Sequence, residues 1–433
     1  MDELKFLKDN VRIKQSKLIS KIVNALKEML SVTISAQIMI LPVMLYHFNM
    51  IGIYFIITNI LVSSIIGPIM FLSVIFVIMS CISLEISKCI SIFLSLGIEG
   101  LIQISNLAKF PFSKIYVATP SILFITIYYI IVLVSNQIYV IYTSKHVNGT
   151  QRRVKNLIAL MKYKLYEKKK KKRKIYKIIF LIIVFIGINQ VPKNLEIHFL
   201  DVGQGDCTFI VTPMDKTILI DGGGSTSNSY DVGKDTLIPY ILDKGYRKID
   251  YLFISHFDQD HIGGILSVLE ELKVGKIYIT KQGERSENYE KFLEIVKQKN
   301  ITVQLIKAGD KIVMDTITFH ILWPIEKQIE ENILNNNAMV MKLQYKEFSM
   351  LFTGDIEEIA ERKILDTYKN QLDILKATVL KVAHHGSKSS SIEAFLKATG
   401  SKLAVIGVGE NNMFGHPSNV VLERLQSFRY ADF

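Results

Sequence analysis

Four side chains able to ligate a metal, His256, Asp258, Asp260 and His261, fall within six residues of this chain. They lie in Ser255-His256-Phe257-Asp258-Gln259-Asp260-His261-Ile262-Gly263-Gly264, directly after Asp250-Tyr251-Leu252-Phe253-Ile254. That preceding run is apolar, partly β-branched and bounded by turn formers, so it reads as a buried strand. Two imidazoles and two carboxylates crowd together at a high free-energy cost unless cations compensate them. On a loop leaving a strand end, alternate residues point the same way. His256, Asp258 and Asp260 can therefore converge, with His261 beside them. Such a set supports metal-assisted hydrolysis; a polar loop of solvated charges is the rival reading.

Further motifs accompany it. Asp201-Val202-Gly203-Gln204-Gly205-Asp206 is a glycine-rich turn, Asp221 ends the run Leu219-Ile220, and Thr353-Gly354-Asp355 closes the apolar run 348–352. His384-His385-Gly386-Ser387 follows the strand-like 377–383. As a set these resemble the metallo-β-lactamase superfamily, whose signature is His-x-His-x-Asp-His at the end of a core strand. Asp258 stands where that superfamily has its second His. Within the superfamily, the motifs resemble the ComEC family of bacterial DNA-uptake proteins, and the apolar segment ahead of them shares the resemblance more loosely.

The resemblance implies a ligand set. His256, Asp258, Asp260 and His261 would bind metal, and Asp355 would be the carboxylate bridging two ions. One of His384 and His385 would supply the last imidazole; alternation along a strand leaves open which. Asp221 would orient a liganding His rather than bind metal. The only His between His261 and His384 is His320, in a strand-like stretch, and it reads as structural. Asn335-Asn336-Asn337 falls where another ligand is expected, and Asn337 is taken as a supporting residue. An Asp and an Asn in place of two imidazoles shift preference toward harder cations, so manganese competes with zinc. Two such ions, about 3.5–4 Å apart, would lower the pKa of bound water and neutralise charge developing on a phosphodiester, with Asp260 also orienting the attacking water. The run Gly386 to Ser391, entering a helix, offers backbone N–H groups, hydroxyls and one ammonium, so Ser387 and Lys388 are candidate phosphate contacts. His416, in Gly415-His416-Pro417, is a candidate proton donor or phosphate contact; a turn-stabilising role is equally open.

The elements that must position these residues divide the chain. Its 433 residues suffice for two or three domains. Mean hydropathy is +0.28 and the pI is near 9.2, but neither is evenly spread. Residues 1–191 carry 24 basic against 7 acidic residues, and 192–433 carry 28 against 33. The basic excess adjoins apolar segments, where it sets membrane orientation rather than marking a DNA-binding surface. Residues 1–28, with seven basic side chains, read as a cytoplasmic, partly helical arm. Residues 29–191 read as about five membrane helices: 29–48 with Pro42 inside, 50–80 as one bent helix or a helix plus a re-entrant piece, a weaker 82–107, 117–142 and 175–191. The stretch 145–174 carries 13 Lys and Arg and reads chiefly as a cytoplasmic topology signal beside lipid, with a polybasic nucleic-acid handle as the alternative. Counting spans then places 192–433 outside the cytoplasmic membrane. Cys81, Cys89 and Cys207 indicate neither a disulfide framework nor a cysteine-rich zinc site, and no cleavable signal peptide is visible.

After Pro192, strands separated by Gly and Pro turns alternate with helical stretches. The pattern is α/β, and the resemblance implies the αββα sandwich. The expected architecture is thus an α-helical membrane domain followed by a metallo-β-lactamase-like hydrolase domain over 192–433. The resemblance also implies that the family's N-terminal portion is absent, and that the partners are DNA, single-stranded or duplex, the lipid bilayer and other competence proteins. The expected function is bacterial DNA uptake, with the hydrolase degrading the strand that is not imported. A membrane-tethered phosphoester hydrolase without a transport role and a non-catalytic membrane scaffold are the alternatives.

Overall fold

The computed structural model describes residues 2–110, 113–143, 194–225, 230–283 and 285–428. Its contacts divide the chain into two compact units, 1–151 and 152–433. The basic stretch 145–174 and the expected fifth segment, 175–191, lie outside the described residues.

In the first unit, helix α1 (Asp2–Phe48) runs without interruption through both the expected arm and the first apolar segment. Strand β1 (Met50–Gly52) follows, then α2 (Phe55–Ser80). Gly67-Pro68 lies inside α2, so this stretch is one helix rather than a helix plus a re-entrant piece. Helix α3 (Leu84–Ser105), capped by Ser83, contains Glu85, Lys88 and Glu99. Strand β2 (Lys114–Tyr116) precedes α4 (Ile122–Thr143) and pairs antiparallel with β1. By length and composition, Val23–Phe48, Phe55–Ser80 and Ile122–Val140 can each cross a membrane. Helix α3, which carries those three charges, is not in that set. Pro42 has no N–H to give the Ile38 carbonyl. That carbonyl accepts instead from the Tyr128 hydroxyl at 2.8 Å, while Tyr129 donates to Met39 O at 2.7 Å. An apolar helix keeps its proline where a neighbour supplies the missing donor in this way.

The second unit holds two six-stranded sheets. The first runs β3 (Glu196–Phe199), β4 (Thr208–Val211), β5 (Thr217–Ile220), β6 (Lys248–Ile254), β7 (Lys273–Ile279), β8 (Thr302–Leu305) in spatial order. Strands β3 to β5 are antiparallel neighbours, and β5 to β8 are parallel. Between β5 and β6 lies α5 (Ile238–Asp243), between β6 and β7 α6 (Gln259–Glu271), and between β7 and β8 α7 (Glu287–Lys299). The second sheet comprises β9 (Lys311–Met314), β10 (Ile317–Trp323), β11 (Val340–Tyr345), β12 (Phe348–Phe352), β13 (Val379–Lys381) and β14 (Leu403–Val405). The first four pair antiparallel, and β12–β13–β14 are parallel. The short turn α8 (Ile333–Asn336) precedes β11, α9 (Glu358–Thr367) follows β12, α10 (Glu393–Thr399) follows β13, and α11 (Asn419–Ser427) ends the described chain.

Alternation along the strands sorts the side chains between layers. Phe253, Ile218, Phe319, Met341 and Phe352 share one apolar cluster between the sheets. There the Phe253 ring lies 4.8 Å from both Tyr278 and Phe319, and such pairs add about 0.5–1.5 kcal/mol each beyond their area burial. Val340, Leu351 and Leu380 face the other way, against Ile364, Phe395 and Leu425 of α9, α10 and α11. Residues Leu252 and Ile254 of β6, with Ile265, Val268 and Leu269 of α6, are fully buried on the far side of the first sheet. The result is the expected αββα sandwich. Strand β6 and the parallel strands β12 and β13 deliver their carboxyl ends to one edge, where ligands bind in open α/β sheets.

Candidate metal centre

Each ligand candidate leaves a strand end. Asp221 follows β5, His256 follows β6, Asp355 follows β12, and His384 and His385 follow β13. Asp258 caps α6, so Asp260 and His261 occupy its first turn. The glycine-rich loops hold that turn in place: Asp206 N donates to Asp260 O, and Gly222 N donates to His261 O. Gly205 sits against Asp260 O with φ +132°, a position that admits no Cβ.

The hydrogen bonds fix the imidazoles. Asp221 accepts from Ser255 N at 2.8 Å, from Ser255 Oγ at 2.7 Å and from His261 Nδ1 at 3.0 Å. The same Ser255 hydroxyl accepts from His256 Nδ1 at 2.9 Å. His385 Nδ1 donates to the Gly407 carbonyl at 2.7 Å. With all three Nδ1 atoms engaged, the Nε2 atoms point to one another's neighbourhood: His261 Nε2 lies 3.1 Å from Asp355 Oδ1, and His385 Nε2 lies 3.2 Å from Asp260 Oδ2 and 3.3 Å from Asp355 Oδ2. His256 Nε2 lies 3.5 Å from Asp258 Oδ2. The Nε2 atoms of His256, His261 and His385 and the Oδ1 of Asp355 are buried without a hydrogen-bond partner. Asp260, His261, Asp355 and His385 each offer one atom within 4.8 Å of the others.

A nitrogen and oxygen donor set of this kind fits a divalent cation. Burial opposes charge on His261, yet Asp355 and Asp221 outweigh it and hold the imidazole well above its usual range. Burial likewise opposes charge on Asp355 and Asp260, but the adjacent imidazoles His261 and His385 keep both carboxyls below theirs. Negative charge concentrated here draws a cation, whether a proton or a metal ion.

The structure separates the two histidines that sequence left open. His384 and His385 both adopt left-handed backbone, φ 50° and 53°, followed by Gly386 at φ 80°. Consecutive left-handed residues cost on the order of 1–3 kcal/mol each. The turn carries His385 inward, 1% exposed, and leaves His384 half-buried, its Nε2 4.0 Å from Asp355 Oδ2. His416 stands beside His384, ring centroids 5.8 Å apart.

Two expectations are corrected. Asn337 does not support the ligands: its amide is consumed by Ile329 N, Ile329 O and Ile333 O. Asn335 takes that place, with Nδ2 at 3.5 Å from His384 Nε2 and a buried Oδ1 lacking a partner. The helix-start donors expected to bind an anion beside Ser387 and Lys388 are already engaged. The Ser387 hydroxyl meets Ser389, Lys388 is exposed, and the Ser391 and Ile392 N–H groups already donate to the Glu361 carboxylate at 2.6 and 2.8 Å. His320 lies mid-β10 opposite Lys311 and Lys342, away from these ligands.

Sequence reading also missed a buried ion pair, Lys381 Nζ to Asp206 Oδ2 at 2.6 Å. Asp206 also lies 3.4 Å from His385 Nδ1. Burial would raise its carboxyl, but Lys381 and His385 hold it well below the usual range. The available signal was Lys381 itself, a charge inside the apolar run 379–383. Beside the ligands opens a cleft of about 800 Å³, bounded by Asp258, Asp260, Asn335, Asp355 and His384, and on its outer side by Tyr230 and Phe414.

Residues 200–410 match the model of the family described as the metallo-beta-lactamase superfamily, and with the sandwich and its edge site they define the second unit as a domain of that superfamily. Residues 4–138 match the family described as Competence protein. Among curated relatives, ComE operon protein 3 of Bacillus subtilis is 34% identical over 242 residues, covering 53% of this chain and 30% of that protein. Recombination protein 2 of Haemophilus influenzae is 29% identical over 257 residues, covering 59% and 30%. Competence protein ComA of Neisseria gonorrhoeae is 28% identical over 239 residues, covering 55% and 30%. A match to Competence protein ahead of a match to the metallo-β-lactamase superfamily gives the chain both segments that the ComEC resemblance leads one to expect, in that order. It spans about 30% of the length of these relatives. Among solved structures, the metallo-beta-lactamase fold protein YhfI from Bacillus subtilis is 12% identical with a TM-score of 0.32, covering 52% of this chain and 86% of that one.

Proposed function

We propose that this chain acts in DNA uptake at the bacterial cytoplasmic membrane, and that its second unit is a two-metal phosphodiesterase that degrades one DNA strand. The observation that carries the catalytic part is the convergence of the orphaned Nε2 atoms of His261 and His385 on Asp260 and Asp355, two carboxylates that line a cleft open to solvent. Asp260, His261, Asp355 and His385 would hold one divalent ion, manganese or zinc. His256 and Asp258, with Asp355 shared and Asn335 adjacent, would hold a second. Ions bound there supply Lewis acidity toward a phosphodiester and make water nucleophilic near neutral pH.

The chain's own residues do the rest. Asp221 and the Gly407 carbonyl keep His261 and His385 in the Nδ1–H form, so that the Nε2 lone pair stays free to ligate a cation. Asp260, ionised and 30% exposed at the cleft, orients the attacking water. His416, beside His384 at the mouth, reaches the departing oxygen or the phosphate. Residues 1–28 form the cytoplasmic arm, 29–191 the membrane domain, and 192–433 the hydrolase. The 13 basic residues of 145–174 retain their stretch in the cytoplasm and so put the hydrolase outside. DNA, the bilayer and other competence proteins are the partners.

The test is hydrolysis of a labelled single-stranded oligonucleotide by the purified full chain in detergent, with manganese or zinc added. Wild type should cleave, and Asp260→Ala should lose cleavage while keeping native emission from Trp323, the chain's single tryptophan. Equal cleavage by Asp260→Ala would overturn the assignment.

A further inference from the structure

Among the described residues bounding the cleft there is no Lys or Arg, whereas Asp201, Asp258, Asp260 and Asp355 all line it. Nucleic-acid sites ordinarily draw most of their affinity from basic side chains on phosphates. Without such side chains on the lining, a polynucleotide needs another source of binding.

The outer edge supplies one. Met413, Phe414 and Tyr230 line the same cleft and are 92%, 62% and 45% exposed. Large apolar groups left in water beside an acidic cleft are costly unless a ligand covers them. They are not on a slack loop. Asn412 Oδ1 accepts from Phe414 N and His416 N, each at 3.1 Å, and Asn412 Nδ2 donates to Gly409 O and His416 O at 2.9 and 2.6 Å. Gly409 N in turn donates to Gln204 at 3.1 Å, tying the loop to the glycine-rich turn. The Phe414 ring stacks on His416 at 5.8 Å and 18°, and His416 lies 5.8 Å from His384. Two ring-to-ring steps thus connect the exposed ledge to His384, whose Nε2 lies 4.0 Å from the ligand candidate Asp355.

We propose that Met413 and Phe414, with Tyr230 on the same cleft, form a base-stacking subsite that makes this hydrolase selective for unstacked, single-stranded polynucleotide. This rests on the phosphodiesterase reading above. Every base has a π-face, so such a ledge binds without sequence preference. Bases within a duplex are already stacked and cannot use it.

The experiment uses the full chain in detergent with manganese, at salt high enough to suppress phosphate-driven binding elsewhere on the chain. Three probes are compared: a labelled single-stranded oligonucleotide, its duplex, and an abasic deoxyribose-phosphate oligomer. Binding is read by anisotropy and cleavage by product formation. Phe414→Ala should reduce the binding preference for the base-bearing strand over the abasic oligomer by about tenfold. Phe414→Tyr should restore that preference, and Tyr230→Ala should weaken it. An unchanged preference in Phe414→Ala, or equal binding of single strand and duplex by wild type, would overturn the subsite. Because anisotropy reads binding without turnover, loss of the preference in Phe414→Ala supports the ledge even if no probe is cleaved, whereas absent cleavage by wild type would count against the phosphodiesterase.

Discussion

Replacing Lys381 with methionine keeps most of the side chain's volume and removes the partner of a buried carboxylate. Lys381 and Asp206 are 5% and 7% exposed and meet at 2.6 Å. Methionine leaves Asp206 with only the imidazole side of its environment, and its Oδ1 already lacks a hydrogen-bond partner. Breaking a buried pair by removing one member costs about 3–5 kcal/mol. A folded domain has about 5–15 kcal/mol in total, so the loss would leave this one marginal. At roughly 2–4 °C per kcal/mol for a domain of this size, the unfolding temperature should fall on the order of 10 °C. Trp323, the last residue of β10, is fully buried, donates Nε1–H to Asn336 O at 2.8 Å, and is the only tryptophan. Its emission in the full chain therefore reports the unfolding of the second unit alone. The double variant Asp206→Asn/Lys381→Met should recover most of the loss, because it removes both charges together. A Lys381→Met midpoint within about 1 kcal/mol of wild type, the range of an exposed pair, would refute the reasoning.

Asp221→Ala removes the acceptor that holds His261 Nδ1–H, and metal affinity measured by competition with a chelator should fall about 10–100-fold; unchanged affinity would show that Asp221 does not orient the ligand. Glu361 is pushed up to about 7, chiefly by burial, against an ordinary value of 4.5. A group raised on folding lends stability that is complete below its unfolded pKa and is lost as pH rises through the folded one. Unfolding of wild type followed through Trp323 should accordingly lose stability between pH 4.5 and 7 relative to Glu361→Gln, and parallel pH profiles would contradict this. Exchanging His385 for alanine should abolish metal binding at the centre, whereas His384→Ala should only weaken it; the reverse order, read by bound-metal analysis, would reassign the ligand.

The candidate site was legible where its residues are close in sequence and attached to strand ends. His256, Asp258, Asp260 and His261 follow one apolar run, and Asp355 follows another, so the α/β pattern placed both at a sheet edge. What failed was decided by backbone conformation or by distant partners. The choice between His384 and His385 turned on two left-handed residues that break strand alternation. Asn335 replaced Asn337 because the turn before β11 aims the two amides in opposite directions, one at His384 and one at Ile329. The serine-rich loop after His385 has the composition of an anion site, but Glu361, from α9, arrives first. In the first unit, the apolar stretches 29–48, 50–80, 82–107 and 117–142 fall on α1 to α4, while whether Gly67-Pro68 would break α2 depended on tertiary surroundings that hydropathy does not encode.

The most direct measurement is the metal content of the purified full chain after equilibrium dialysis against manganese or zinc, followed by the same determination on Asp355→Ala. The donor set read here predicts two divalent ions per wild-type chain and loss of both in Asp355→Ala, since that carboxylate stands between His261 and His385 and would be shared by the two ions. A wild-type chain that retains no metal, or an Asp355→Ala chain that retains as much as wild type, would contradict it.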